Sequence, residues 1–199
     1  MAKLMNWNNF ERQLKEKKLL LFSPLDITRL FGISKVAATF LVHRYVQKMF
    51  IRRVRRGLYV FPGLLPPDLY LANKIYEPSY VSLEFALSYH RVIPETVYEI
   101  TSVTTKSTRC FTALGKIFSY HSLKQDAFTG YILEKQDGFT YLIAEPEKAF
   151  VDCMYLRAKA KKELLQRFDK ERINKDKALQ YTGFFKNDNL TRIIKRALE

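Results

Sequence analysis

Between Asp26 and Asp68 the chain carries no acidic residue, and in that interval stand Arg29, Lys35, Arg44, Lys48, Arg52, Arg53, Arg55 and Arg56. Folding so one-sided a stretch sets like charges against one another, a penalty that a bound polyanion relieves. The punctuation of residues 22–63 restricts the shape further. Ser23 is a good N-cap, Pro24 suits the first helical position, and Asp26 stands three residues past the cap, which predicts a short helix to about Phe31. Gly32 allows a left-handed turn, and Ser34 caps a second predicted helix from Lys35 to about Lys48. Helix, glycine turn, helix is the supersecondary unit of helix-turn-helix DNA binders. Phe50 to Val54 and Leu58 to Phe61 then flank Arg55-Arg56-Gly57 and read as a β-hairpin, a basic wing with arginines at its tip. A lone charge run is usually a solvated face, but here it coincides with two capped helices and a hairpin in the right order. The expectation is a winged helix-turn-helix over residues 1–63.

Periodicity assigns faces within this unit. Trp7, Phe10 and Leu14, with the aliphatic stem of Lys18, recur at helical spacing over residues 7–21 and predict a first helix packed across the other two. In the second capped helix Ala37, Phe40, Leu41 and Tyr45 are expected to face inward. Lys35, Thr39, Val42 and His43 are expected to face outward, where side chains of their size meet base edges in a major groove. Ser34 offers its hydroxyl and the helix N-terminus to a phosphate. The predicted DNA-binding set is therefore Ser34, Lys35, Thr39, His43, Arg44, Lys48, Arg52, Arg53, Arg55 and Arg56.

The distribution of charge supports the division. Of the net +14, residues 1–67 hold 13 Lys/Arg against 3 Asp/Glu, and residues 68–199 hold 21 against 17. No run approaches the roughly 18 apolar residues of a membrane span. The first residues, MAKLMNWNNFERQLKEKK, carry charge where a signal peptide needs an apolar core. Cys110 and Cys153 match no metal-ligand spacing. A cytoplasmic protein without cofactor or metal is expected.

Pro62-Gly63-Leu64-Leu65-Pro66-Pro67 reads as a linker lying against a domain, and a second domain is expected over residues 68–199. In it Ser82 caps a predicted helix with Phe85, Ala86 and Tyr89 buried, ended by Pro94. From Val97 to Leu142 the pattern turns to β, including a hairpin at Asp137-Gly138 whose loop is lengthened by Glu134-Lys135-Gln136. After Glu145-Pro146 it is helical. The fold class expected is α+β, a winged helix followed by a mixed α/β domain with a mostly antiparallel sheet and C-terminal helices. Catalytic signals are sparse, with no Gly-rich phosphate loop, paired metal-spaced histidines or nucleophile elbow. Glu145-Pro146-Glu147-Lys148 faintly resembles a nuclease Glu-x-Lys, yet a proline there suits a helix start, with Glu147 favourably placed on the helix dipole.

Three stretches together resemble a family. RRGLYVFPG (55–63), SYVSLEFALSYHRVIPE (79–95) and LIAEPEKAFVDCMYL (142–156) are similar to motifs of AbiEi-type antitoxins of bacterial type IV, abortive-infection toxin–antitoxin systems, and the resemblance spans nearly the whole chain. Arg91 departs from it, standing where such antitoxins have a small residue, often glycine. The resemblance implies a non-enzymatic autorepressor that binds inverted repeats in its own promoter through the N-terminal domain. It also implies a C-terminal domain that counters a nucleotidyltransferase-like toxin without a stable complex. On this view Lys35, Thr39, His43 and Arg44 lie in the groove, while Arg52, Arg53, Arg55 and Arg56 grip flanking phosphates or reach into a minor groove. The protein would be a monomer in solution that pairs on DNA. The alternatives are a nuclease delivered by a winged helix, and a winged helix used for protein contact.

Overall fold

The computed structural model describes residues 6–199; residues 1–5, which begin the charged N-terminal stretch and the first expected domain, lie outside the described residues. The chain divides into two compact units, Met1–Pro66 and Pro67–Glu199. Both helices and strands occur in each, so the protein is α+β.

Unit 1 runs α1 (Trp7–Glu16), β1 (Leu21–Phe22), α2 (Pro24–Phe31), α3 (Lys35–Gln47), β2 (Arg52–Arg55) and β3 (Leu58–Val60). α1 stops earlier than its apolar periodicity suggests, because Lys18 takes a left-handed φ of 55°. Local chemistry fixes α2: the Ser23 Oγ accepts from the Asp26 N–H, and the Asp26 carboxylate accepts from the Ser23 N–H at 2.8 Å, a reciprocal capping box. Gly32 closes it in the left-handed region at φ 63°, where a Cβ is disfavoured. Ser34 then caps α3, its Oγ accepting from the Ala37 N–H at 3.2 Å. The three strands pair antiparallel in the order β1-β3-β2, with Arg56-Gly57 as the β2–β3 turn and an irregularity between Arg53 and Arg55. The core is aromatic: Trp7 meets Tyr45 edge-on at 5.0 Å, Phe10 stacks on Phe31 at 5.5 Å, and Phe22 meets Phe61 at 5.3 Å.

Unit 2 runs α4 (Asp68–Ile75), β4 (Ser79–Val81), α5 (Leu83–Tyr89), β5 (Ile100–Thr104), β6 (Arg109–Ala113), β7 (Lys116–Ser122), β8 (Tyr131–Gln136), β9 (Phe139–Ala144), α6 (Pro146–Lys159), α7 (Lys175–Gly183) and α8 (Asp188–Ala197). Its six-stranded sheet has the order β6-β7-β5-β4-β9-β8. The sheet is mixed: β4–β5, β6–β7 and β8–β9 pair antiparallel, whereas β5 with β7 and β4 with β9 are parallel. Parallel neighbours need long crossovers, which leave no hairpin signal to read. Hairpin β8–β9 has a two-residue turn, Asp137-Gly138, with φ of 50° and 82°, tighter than expected. Glu134, Lys135 and Gln136 belong to β8, because an edge strand tolerates polar side chains. α5 buries Leu83, Ala86 and Leu87, whereas Tyr89 is exposed and bonds the Glu134 carboxylate and the Tyr141 hydroxyl. Among the described residues no helix is long and apolar enough to cross a membrane.

Candidate nucleic-acid interface

α3 presents one fully solvated stripe. At 100° per residue Val36, Phe40, His43 and Gln47 line up along the helix, and all four are exposed. Val36 is 65% exposed and Phe40 71%, whereas Ala38, Leu41, Val42 and Tyr45 are buried. The expected faces are therefore corrected by a rotation of the helix. Val42 is a core residue at 2% exposure, and Phe40 points to solvent. The reason lies in the sequence VAATFLV, apolar nearly all round, so periodicity alone cannot choose the buried stripe.

The other predicted residues fall as follows. Lys35, Thr39 and Lys48 are exposed, but the Thr39 hydroxyl donates to the Lys35 carbonyl at 2.8 Å within the helix. Arg44 is half-buried, its guanidinium 5.3 Å from the centre of the Tyr45 ring. Only four residues separate α3 from β2, and the Phe50 and Ile51 N–H groups both donate to the Tyr45 carbonyl, which pins the hairpin to the helix end. On that hairpin Arg52, Arg53 and Arg56 are exposed. Arg55 differs. It is half-buried, donates to the Arg56 carbonyl at 3.0 Å, and has its Nε enclosed without a hydrogen-bond partner. Unit 1 thus brings Ser34, Lys35, Thr39 and His43 to one helix and three exposed arginines to one hairpin. Gln47, Val36 and Phe40 complete the exposed surface and were not legible from periodicity.

At its Glu-Pro-Glu-Lys segment unit 2 contains a buried polar anchor. Pro146 occupies the first turn of α6, and Glu147 is 8% exposed, its carboxylate accepting from the Asn174 N–H at 3.1 Å. Lys148 is fully buried and paired with Asp152 one turn on; Asp152 also accepts from the Tyr80 hydroxyl at 3.0 Å and the Ser82 hydroxyl at 2.9 Å. Burial pulls the Lys148 ammonium below its ordinary range and pushes the Asp152 carboxyl up, while their mutual attraction opposes both movements. Ser82 thus stands at the N-cap position of α5 but spends its hydroxyl on Asp152. Glu145 binds the Tyr181 hydroxyl and the Lys177 ammonium of α7; these bonds outweigh its burial and hold its carboxyl below the ordinary range. The Glu-Pro-Glu-Lys segment is therefore occupied in joining β4, α6 and α7.

A cleft of about 410 Å³ nearby is lined by Glu84, His121, Cys153 and Arg157, among others. Arg157 donates to Glu84 at 2.9 Å, and burial pushes the Cys153 thiol far above its ordinary value, so it carries no thiolate at neutral pH. No three His, Cys, Asp or Glu side chains among the described residues converge to hold a metal. No protein-family model and no curated protein matches the chain.

Proposed function

We propose that the protein binds double-stranded DNA through unit 1, read as a winged helix-turn-helix with α3 in the major groove and the β2–β3 hairpin as its wing. The observation that carries this reading is the exposed face of a capped helix, joined by four residues to a hairpin with three exposed arginines, in a segment without acidic residues from Ile27 to Pro67. The likeness of residues 55–63, 79–95 and 142–156 to AbiEi-type antitoxins extends the proposal. The DNA is then the promoter of the protein's own operon, bound at inverted repeats by protomers that are monomeric in solution. Unit 2 counters a nucleotidyltransferase-like toxin without a stable complex and without chemistry of its own. A nuclease reading has less support, because Glu147 and Lys148 are both committed to internal partners.

A gel shift with the DNA immediately upstream of the gene, against scrambled DNA of equal length, tests this. Stepwise, preferential retardation of the upstream DNA is expected. Equal retardation of both would remove autoregulation and leave sequence-independent binding, and no shift at about 50 mM salt would remove the DNA reading itself.

A further inference from the structure

Val36 and Phe40 are the unexplained part of the α3 surface. Single exposed hydrophobic residues are ordinary. These two are neighbours one turn apart, 65% and 71% exposed, the first two members of the outward stripe, with Lys35, Thr39 and His43 beside them. Neither contributes to the buried core of unit 1, which is complete with Ala38, Leu41, Val42 and Tyr45 from the same helix. The segment that carries them is basic, with no acidic residue from Ile27 to Pro67, which matches a polyanion better than another protein surface.

We infer that Val36 and Phe40 read thymine by packing against its 5-methyl group. The inference rests on the DNA-binding reading of unit 1 and specifies what its helix recognises. The major groove is wide enough for an α-helix and presents hydrogen-bond donors, acceptors and one apolar group, the methyl of thymine. Two apolar side chains in the N-terminal half of a groove-facing helix would find no methyl group over G·C pairs, whose edges there offer mainly hydrogen-bonding groups. Over thymine they exclude water from an apolar surface, worth about fourfold in affinity for each methyl covered. The arginines supply sequence-independent attraction to phosphates, and the apolar pair converts it into a preference for thymine at two positions about one helical turn of α3 apart.

The test uses the full-length protein and the duplex upstream of its gene, synthesised with thymidine or with deoxyuridine, which differ only by the methyl. Fluorescence anisotropy should show the thymidine duplex bound about four- to sixteen-fold more tightly. Phe40→Ala, at a solvated position, should keep its circular dichroism and its salt dependence while narrowing that ratio by about fourfold. Equal affinity of the wild-type protein for both duplexes, or an unchanged ratio in Phe40→Ala, overturns the inference and leaves DNA binding intact. A Phe40→Ala protein that changes its sedimentation but not its thymine preference also overturns it, assigning the stripe to contact between copies. Failure of the wild-type protein to bind either duplex at about 50 mM salt removes the DNA reading and this inference with it.

Discussion

Removing the Lys148 ammonium should expose how much unit 2 depends on its buried ion pair. Lys148 and Asp152 are both 0% exposed, and among the described residues the Tyr80 and Ser82 hydroxyls join the ammonium in stabilising the charge of Asp152. Lys148→Met keeps the side-chain length and deletes the countercharge, leaving a carboxylate enclosed in protein. Breaking a buried pair in this way costs about 3–5 kcal/mol. Asp152 can escape part of that cost by taking up a proton. Burial already raises its folded pKa and Lys148 lowers it, so the substitution moves it further up. A carboxyl whose folded pKa lies above its unfolded value of about 3.9 is better tolerated below that value. The variant should therefore lose stability relative to wild type as pH rises from the wild-type folded pKa of Asp152 toward its higher value in the variant, by about 1.4 kcal/mol per unit. Adding Asp152→Asn keeps an oxygen for Tyr80 and Ser82 without the charge, and should restore about 2 kcal/mol and remove this pH dependence. Urea unfolding followed by far-UV circular dichroism at pH 5 and 8 measures these differences. Trp7 is the only tryptophan and lies in unit 1, so its fluorescence reports that unit separately. A loss below about 1 kcal/mol at pH 8, or the same loss at both pH values, would refute a charged buried pair.

Two backbone positions should respond in opposite senses. Gly130→Ala at φ 74° places a Cβ 2.6 Å from the Tyr181 ring and 2.8 Å from Lys148, and should lower the urea midpoint by the equivalent of at least about 1–3 kcal/mol. Arg91→Gly relieves an exposed residue held at φ 58° and should raise stability by about 0.5–1 kcal/mol in the same assay. Arg53→Ala with Arg56→Ala should flatten the slope of log K against log salt for DNA binding by about 1.8, and an unchanged slope would exclude the hairpin from the contact. A thiol reagent should label Cys110 alone in the native protein and reach Cys153 only after unfolding, as mass spectrometry of the labelled peptides would show.

Local chemistry was legible in the sequence, and choices made by distant parts of the chain were not. The capping box of Ser23 and Asp26, the left-handed Gly32 and the Ser34 cap each depend on residues within four positions, and all appear where the residue types place them. The rotation of α3 was not legible because Val36, Ala37 and Phe40 are as apolar as Ala38, Leu41 and Val42, and contact with Phe10 and Ile27 decides between them. Asp152 gave no sign of its role because two of its partners, Tyr80 and Ser82, lie 72 and 70 positions away. Arg91 was visible as a departure from the small residue of similar motifs, and its positive φ supplies the reason a glycine suits that position.

The parallel pairing of β4 with β9 in the unit 2 sheet bears on how the protein is made. Val81 of β4 pairs with Ile143 of β9, 62 positions later, whereas each strand pair of unit 1 lies within residues 21–60. Ribosomes add about 5–20 residues per second, so β4 waits roughly 3–12 s for its neighbour to be synthesised. Over that interval one of its edges lacks its strand partner, while the contacts of unit 1 can already close. Long-range pairings also form slowly once the chain is complete. Newly made molecules would then pass through a stage with a basic N-terminal unit already assembled and an unfinished sheet behind it, a form in which aggregation competes with folding.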